Sequence, residues 1–146
     1  MREVKFRGKA KNGGEWFYGS LAFFPDSQTA HIIPCCSCKN DGDVVCNFVE
    51  VDPETIGQCT GLHDIHCHEI YEGDVVFWIA KDHKGFGHGR QGEMFWDKFT
   101  MAWCIKEDRL TVDGRPLIVS RPFDLMHREI VGNIHDNPEM MERAIV

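Results

Sequence analysis

At 146 residues the chain is long enough to bury a real core and short enough for one domain, or one domain with an appended hairpin. Its 42% hydrophobic and 27% charged residues are the composition of an ordinary globular protein. A net charge of -7 argues against binding a phosphate backbone, which needs a basic face, and no window is long and apolar enough for a membrane-spanning helix.

The amino terminus is charged and lacks the apolar run of a signal peptide, so an intracellular, cytoplasmic setting is expected. Seven cysteines, an odd number, then read as thiols or metal ligands rather than as a disulfide framework.

In chain order, residues 2–7 alternate as a strand, with Val4 and Phe6 facing in and Glu3, Lys5 and Arg7 facing out. The plain reading of Arg2, Lys5, Arg7, Lys9 and Lys11 is a solvated strand face; the alternative is a nucleic-acid contact through Lys5, Arg7 and Lys9. Lys11-Asn12-Gly13-Gly14 is a hairpin turn, because Asn and Gly accept positive φ. Residues 15–24 return as a strand with Trp16 and Tyr18 on one face and Phe17 on the other, and Gly19 marks a bulge or a close approach. Residues 29–33 form a short strand ended by Pro34, and residues 44–51 form its return. Between them lies a cysteine-rich hairpin tip.

The centre of the chain carries the densest turn signals. Asp52-Pro53 stops the preceding strand, since proline lacks the ladder donor. Residues 55–60 read as a strand ended by Gly61; the alternative is a helical turn capped by Asp52 with Pro53 at its first position. Ile70-Tyr71 and Val75-Val76-Phe77-Trp78 flank a Glu72-Gly73-Asp74 turn, in which Gly73 takes the unusual backbone angle and Asp74 bonds the following amides. Residues 81–92, with four glycines, read as a mobile loop or hairpin tip. Gly85-x-Gly87-x-Gly89 lacks the spacing and the following helix of a phosphate loop. Residues 94–99 and 101–105 are aromatic-rich strands that pair, 110–112 and 116–119 flank an Asp113-Gly114 turn, and 129–135 form a last strand. Asn137 then caps a short terminal helix that starts at Pro138.

Zinc binding is the best-supported chemistry. Cys35-x-x-Cys38 has knuckle spacing, Cys46 lies across the hairpin, and His31 is a fourth ligand, with Cys59 or Cys67 as distant alternatives. No second CxxC pair accompanies it, and free thiols in a variable loop are the plainer reading. His63, His66, Cys67 and His68 form a second cluster, read as exposed histidines at a loop tip with adventitious nickel or zinc affinity. No nucleophile elbow or zinc-protease helix occurs, and Glu69, Glu72 and Asp74 surround a turn, where acids serve local hydrogen bonding; an enzyme is not expected.

Several stretches together carry a resemblance: the opening MREVKFRG, VDPETIGQ at 51–58, TGL at 60–62, EIYEGDVV at 69–76 and VGNIHDNPEM at 131–140. In these the chain resembles the YopX protein family of phages and prophages. One departure is Ile65-His66-Cys67-His68, which stands where the family has a Lys-Asn-Gly-Lys type turn. The resemblance implies a mainly β protein, an SH3-like small barrel with additional hairpins and a short C-terminal helix, built as one domain over 1–146. It marks Asp52, Pro53, Gly57, Gln58, Gly61, Tyr71, Gly73, Asp74, Gly132, Asn133, Asn137 and Pro138 as structural positions and carries over no catalytic residue. The expected function is a non-catalytic interaction module of a phage or prophage in the bacterial host cytoplasm. It would bind a protein partner or itself, with no membrane role, through exposed strand edges or the loops at 35–43 and 83–92.

Overall fold

Turn residues cut the chain into eleven short antiparallel strands in a computed structural model that describes residues 4–34, 47–120 and 127–142. The expected mainly β class is observed, in two antiparallel sheets. The chain divides into two compact units, Met1–Cys59 and Thr60–Val146.

In the first unit, β1 (Phe6–Lys9), β2 (Trp16–Phe24), β3 (Thr29–Pro34) and β4 (Val49–Val51) pair in sequence order, and the start of β5 (Gly57–His63) adds to β1 through Arg7↔Gly57 and Phe6↔Gln58. Gly13 and Gly14 have φ of 101° and 70°, as the Asn-Gly-Gly turn requires. Gly19 is a close approach: a Cβ there would run into the Ile33 carbonyl, so only glycine lets β2 lie against β3 at that point. Ala30, Ile32 and Val51 are fully buried, and Phe6, Phe17, Leu21, Val49 and Ile56 pack around them. A single bridge from Ala10 to Val51, with the Asp52 N–H donating to the Lys9 carbonyl at 2.8 Å, draws the end of β1 towards β4. No ladder continues from it, so the sheet is not closed into a barrel.

Both readings of residues 52–60 hold in part. The Asp52 carboxylate caps the Glu54 N–H at 3.0 Å and Pro53–Thr55 forms one 3₁₀ turn, after which β5 begins. Gly61 does not end that strand. It takes a φ of 76° within it, and β5 continues to His63. The inward and outward faces of the first strand also need correction: Val4 is exposed, whereas Arg7 is only 5% exposed, with its guanidinium 4.7 Å from the Trp16 ring centre.

In the second unit the end of β5 pairs with β6 (Glu69–Tyr71), where Thr60 Oγ1 donates to the Ile70 carbonyl at 2.8 Å. The other sheet runs β10-β9-β8-β7-β11, from β7 (Asp74–Lys81), β8 (Gly87–Asp97), β9 (Ala102–Leu110), β10 (Pro116–Ser120) and β11 (Glu129–Asn133). Ile70, Val76, Met94 and Ile105 are fully buried, with Leu62, Trp78, Trp103, Val119 and Ile130 against them. The paired aromatic strands are β8 and β9, which bring Trp96 and Trp103 edge to face at 5.1 Å. Gly73 has the expected positive φ, 85°, but Asp74 bonds backwards: its Oδ2 accepts from the Tyr71 N–H at 2.7 Å.

The C-terminal helix is not formed. Pro138–Met141 is a single 3₁₀ turn, and Asn137 at its start makes no side-chain cap. The Asn137 side chain is engaged elsewhere, accepting from the Asn133 N–H at 3.4 Å.

Candidate functional site

Three groups of side chains compete as the functional site, and the cysteine loop comes first. Cys35, Cys38 and Cys46 lie outside the described residues. His31 lies within them, at the centre of β3 and opposite Glu50 of β4. Its ring sits edge to face between Phe24, at 5.3 Å, and Phe48, at 6.4 Å. Phe24, Thr29, His31 and Phe48 line a recess of about 360 Å³. Among the described residues the buried His31 Nδ1 has no hydrogen-bond partner. Cys59 is half-buried and Cys67 exposed, and no three His, Cys, Asp or Glu side chains converge on a metal position among the described residues.

The histidine cluster is organised by a residue that the sequence reading missed. Asp64 has a side chain only 1% exposed. Its Oδ1 accepts the N–H groups of His66 and His68, both at 2.9 Å, and its Oδ2 accepts the Ile130 N–H at 3.3 Å and lies 3.4 Å from His68 Nδ1. Burial pushes this carboxyl up, but the His68, Ile130 and His66 amides and the His68 ring together hold it below the ordinary aspartate value. His66 reaches Glu129 at 3.3 Å, and Cys67 carries the turn with a φ of 65°. Asp64 bends the backbone here into a tight loop. The signal lay in an aspartate directly before a non-repeating stretch, which favours side-chain bonding to the next amides.

The third group is the hairpin of β7 and β8. Residues 87–92, expected in a loop, belong to β8 and pair fully with β7, from Lys81↔Gly87 to Val76↔Gly92. The glycines are accommodated by their neighbours: a Cβ on Gly87 would meet Ile79 Cγ2 at 2.8 Å, and one on Gly89 would meet Phe77 Cε2 at 3.0 Å. Large side chains of β7 therefore lie over the space that β8 leaves empty.

The turn of this hairpin is tightly ordered. Asp82 donates its N–H to the Phe86 carbonyl at 2.9 Å, and its Oδ1 accepts from Lys84 and Phe86 at 2.8 and 2.9 Å. The Asp82 Oδ2 takes the His88 ring at 3.1 Å, which holds the carboxyl below its ordinary value against the opposing effect of burial. Around this frame Ile79 and Phe86 are each 65% exposed, with Phe77 exposed beside them. Residues 81–90 carry Lys81, Lys84 and Arg90 against Asp82 alone, on a chain whose net charge is -7. A rigid, cationic arm with exposed apolar side chains is the arrangement best suited to contact another molecule.

A family model described as YopX protein matches residues 5–142. The chain belongs to the YopX family. The crystal structure of protein EF1440 from Enterococcus faecalis is similar to this YopX protein at 20% identity and a TM-score of 0.49, over 97% of this chain and 100% of that one. No curated protein matches. Among the described residues, no helix is long and apolar enough to cross a membrane.

The positions that the YopX resemblance marks lie in turns and close contacts. Arg7↔Gly57 and Phe6↔Gln58 join β5 to β1. Tyr71 is buried and its hydroxyl donates to Glu69 at 2.9 Å, while the Gly73 N–H donates to the Met94 carbonyl at 2.8 Å. A Cβ on Gly132 would come within 2.6 Å of Asn137 Oδ1, and Asn133 Oδ1 accepts from His135 and Asp136 at 3.0 and 2.9 Å. Pro138 starts the 3₁₀ turn, and its third residue, Met140, accepts from the Gln91 side chain at 2.6 Å.

Proposed function

We propose that this YopX protein is a non-catalytic interaction module of a phage or prophage, working in the host cytoplasm, and that the arm of β7 and β8 is its contact surface. The observation that carries the reading is the combination of a preordered turn at Asp82 with exposed Ile79 and Phe86 and local positive charge. Fixing the arm before contact removes an entropic cost of binding. Strand arrangement around β1 to β5, with the 3₁₀ turn before β5 and the Ala10 to Val51 bridge, supports an SH3-like barrel as the ancestry of the first unit. Self-association is one form the contact can take, since small β proteins pair through exposed edges.

A photo-crosslinking side chain in place of Phe86, compared with one at the fully exposed Val112, tests the module reading in host lysate. Discrete adducts from position 86 and none from 112 are expected; equal labelling at both positions, or none at either, would overturn it.

A second reading, a zinc-stabilised binding module, is favoured by one observation: the buried His31 Nδ1 has no partner among the described residues, on the strand that leads into Cys35-x-x-Cys38. A buried imidazole nitrogen lacking a bond is costly, and a metal ligand bond satisfies it. Native mass spectrometry of untagged protein is expected to show one zinc per chain, lost on denaturation and absent from the Cys35→Ser/Cys38→Ser variant. The same spectra count subunits. A metal-free chain would sink this reading.

The third reading, nucleic-acid binding through the basic first strand, has less to work with, because Arg7 is buried.

A further inference from the structure

We propose that the outer edge of β8 at Gly87 and Gly89 docks an extended segment of a partner protein in which apolar and acidic residues alternate. The inference rests on the interaction-module reading and names the kind of partner that the arm accepts.

Direction of the backbone groups follows from the turn. The Asp82 N–H to Phe86 carbonyl bond makes this pair hydrogen-bonded. Antiparallel strands alternate bonded and non-bonded pairs, so Ala80 with His88 and Trp78 with Arg90 are bonded, and Lys81 with Gly87 and Ile79 with Gly89 are not. Gly87 and Gly89 therefore aim their N–H and C=O groups away from β7. On that outer side the ladder to β9 begins only at Gly92, so among the described residues no strand pairs with Gly87 or Gly89. The guanidinium of Arg90 donates to the Gly89 carbonyl at 3.1 Å, which places that carbonyl on the outer edge and covers it until a strand arrives.

Side-chain chemistry on the two faces of the arm selects what can be added. On one face Gly87 and Gly89 present no side chain; Ile79 and Phe77 lie beside them, 65% and 36% exposed, with the exposed Lys81 opposite Gly87 at the end of the face. Apolar residues of an added strand would extend that surface across the glycines. The opposite face of β8 carries Arg90, with Lys84 at the turn, and there the alternate residues of the added strand meet positive charge. Main-chain bonds give such strand addition its affinity, and the alternation gives its specificity. Single-stranded nucleic acid would use the same cations and the exposed Phe86, but it has no use for outward backbone groups beside an apolar face.

The probe is a fluorescent peptide of alternating valine and glutamate, titrated against the whole protein by anisotropy. A peptide of the same composition with its glutamates grouped at one end, a valine and lysine peptide, and a thymidine oligonucleotide serve as comparisons. The alternating peptide is expected to bind and the others not. Arg90→Glu is expected to weaken binding about tenfold or more, since it reverses the charge on one face; it also uncovers the Gly89 carbonyl, which by itself would favour docking, so a loss reports the charge. Amide exchange at Gly87 and Gly89 should slow on binding, a change that a purely charge-driven contact would not produce. The proposal is overturned if the grouped peptide binds as well, if Arg90→Glu leaves affinity unchanged, or if the oligonucleotide binds and the peptide does not. A silent peptide with crosslinks still forming at position 86 would remove the docking geometry alone; loss of both would remove the interaction-module reading as well.

Discussion

Truncation of Ile105 to alanine is expected to lower the stability of the protein by about 3 to 4 kcal/mol, within the usual range for deleting three carbons from a closed core. Ile105 is fully buried among Ile70, Val76 and Met94. Its Cγ2 also occupies the place beside Gly92 where a Cβ would sit, only 2.5 Å away. The residue next to the gap is therefore a glycine, with no side chain to swing in, and the cavity stays open. Urea denaturation of the second unit should show a lower midpoint with an unchanged slope. Val112→Ala, at a fully exposed position, should stay within about 0.5 kcal/mol of the parent. A loss below about 1 kcal/mol for Ile105→Ala would mean that the core of β7, β8 and β9 relaxes far more than its packing implies.

Asp64→Ala is expected to cost about 2 to 3 kcal/mol, because it strands the His66, His68 and Ile130 amides that the buried carboxylate accepts. Asp64→Asn keeps one acceptor oxygen and should cost less. The effect depends on pH in a definite direction. The folded carboxyl titrates below the ordinary aspartate value, so the unfolded chain takes up a proton first as pH falls. The stability that Asp64 contributes is complete above the unfolded value of about 3.9 and is lost as pH drops through the lower folded value. Parent and Asp64→Ala should differ fully in thermal unfolding at pH 6, and the difference should shrink as pH falls below the ordinary aspartate value. A difference that grows on acidification would contradict the hydrogen-bonded ionised state.

Membership of the YopX family was legible from short stretches at both ends and the centre of the sequence, because those residues sit where the backbone itself is constrained. Gly73 at positive φ, Asp52 capping the turn at Pro53, and Gly132 beneath Asn137 are local requirements, met by one residue type each. The hairpins at Gly13-Gly14 and Asp113-Gly114 were readable for the same reason: Gly13, Gly14 and Gly114 adopt the positive φ that their turns demand.

Other features depended on what lies across the sheet. Alternation marked Arg7 as facing away from Phe6, yet it could not say that Trp16 would cover the guanidinium on that side. Glycine content made residues 87–92 look like a loop, but six cross-strand pairs with β7 and the bulk of Ile79 and Phe77 hold them as a strand. Asn137 and Pro138 carry the start signal of a helix, but the side chain that would cap it is spent on the Asn133 amide, so a single 3₁₀ turn forms. The burial of Asp64 likewise follows from Ile130, sixty-six residues away, supplying one of its donors. The sequence by itself determined the β class, the family and the turns, since each rests on the conformational range of one or two residues. The tertiary structure alone decided which charges are buried, which glycines are strand, and where β8 has no second paired strand among the described residues, because each of these depends on a partner distant in sequence.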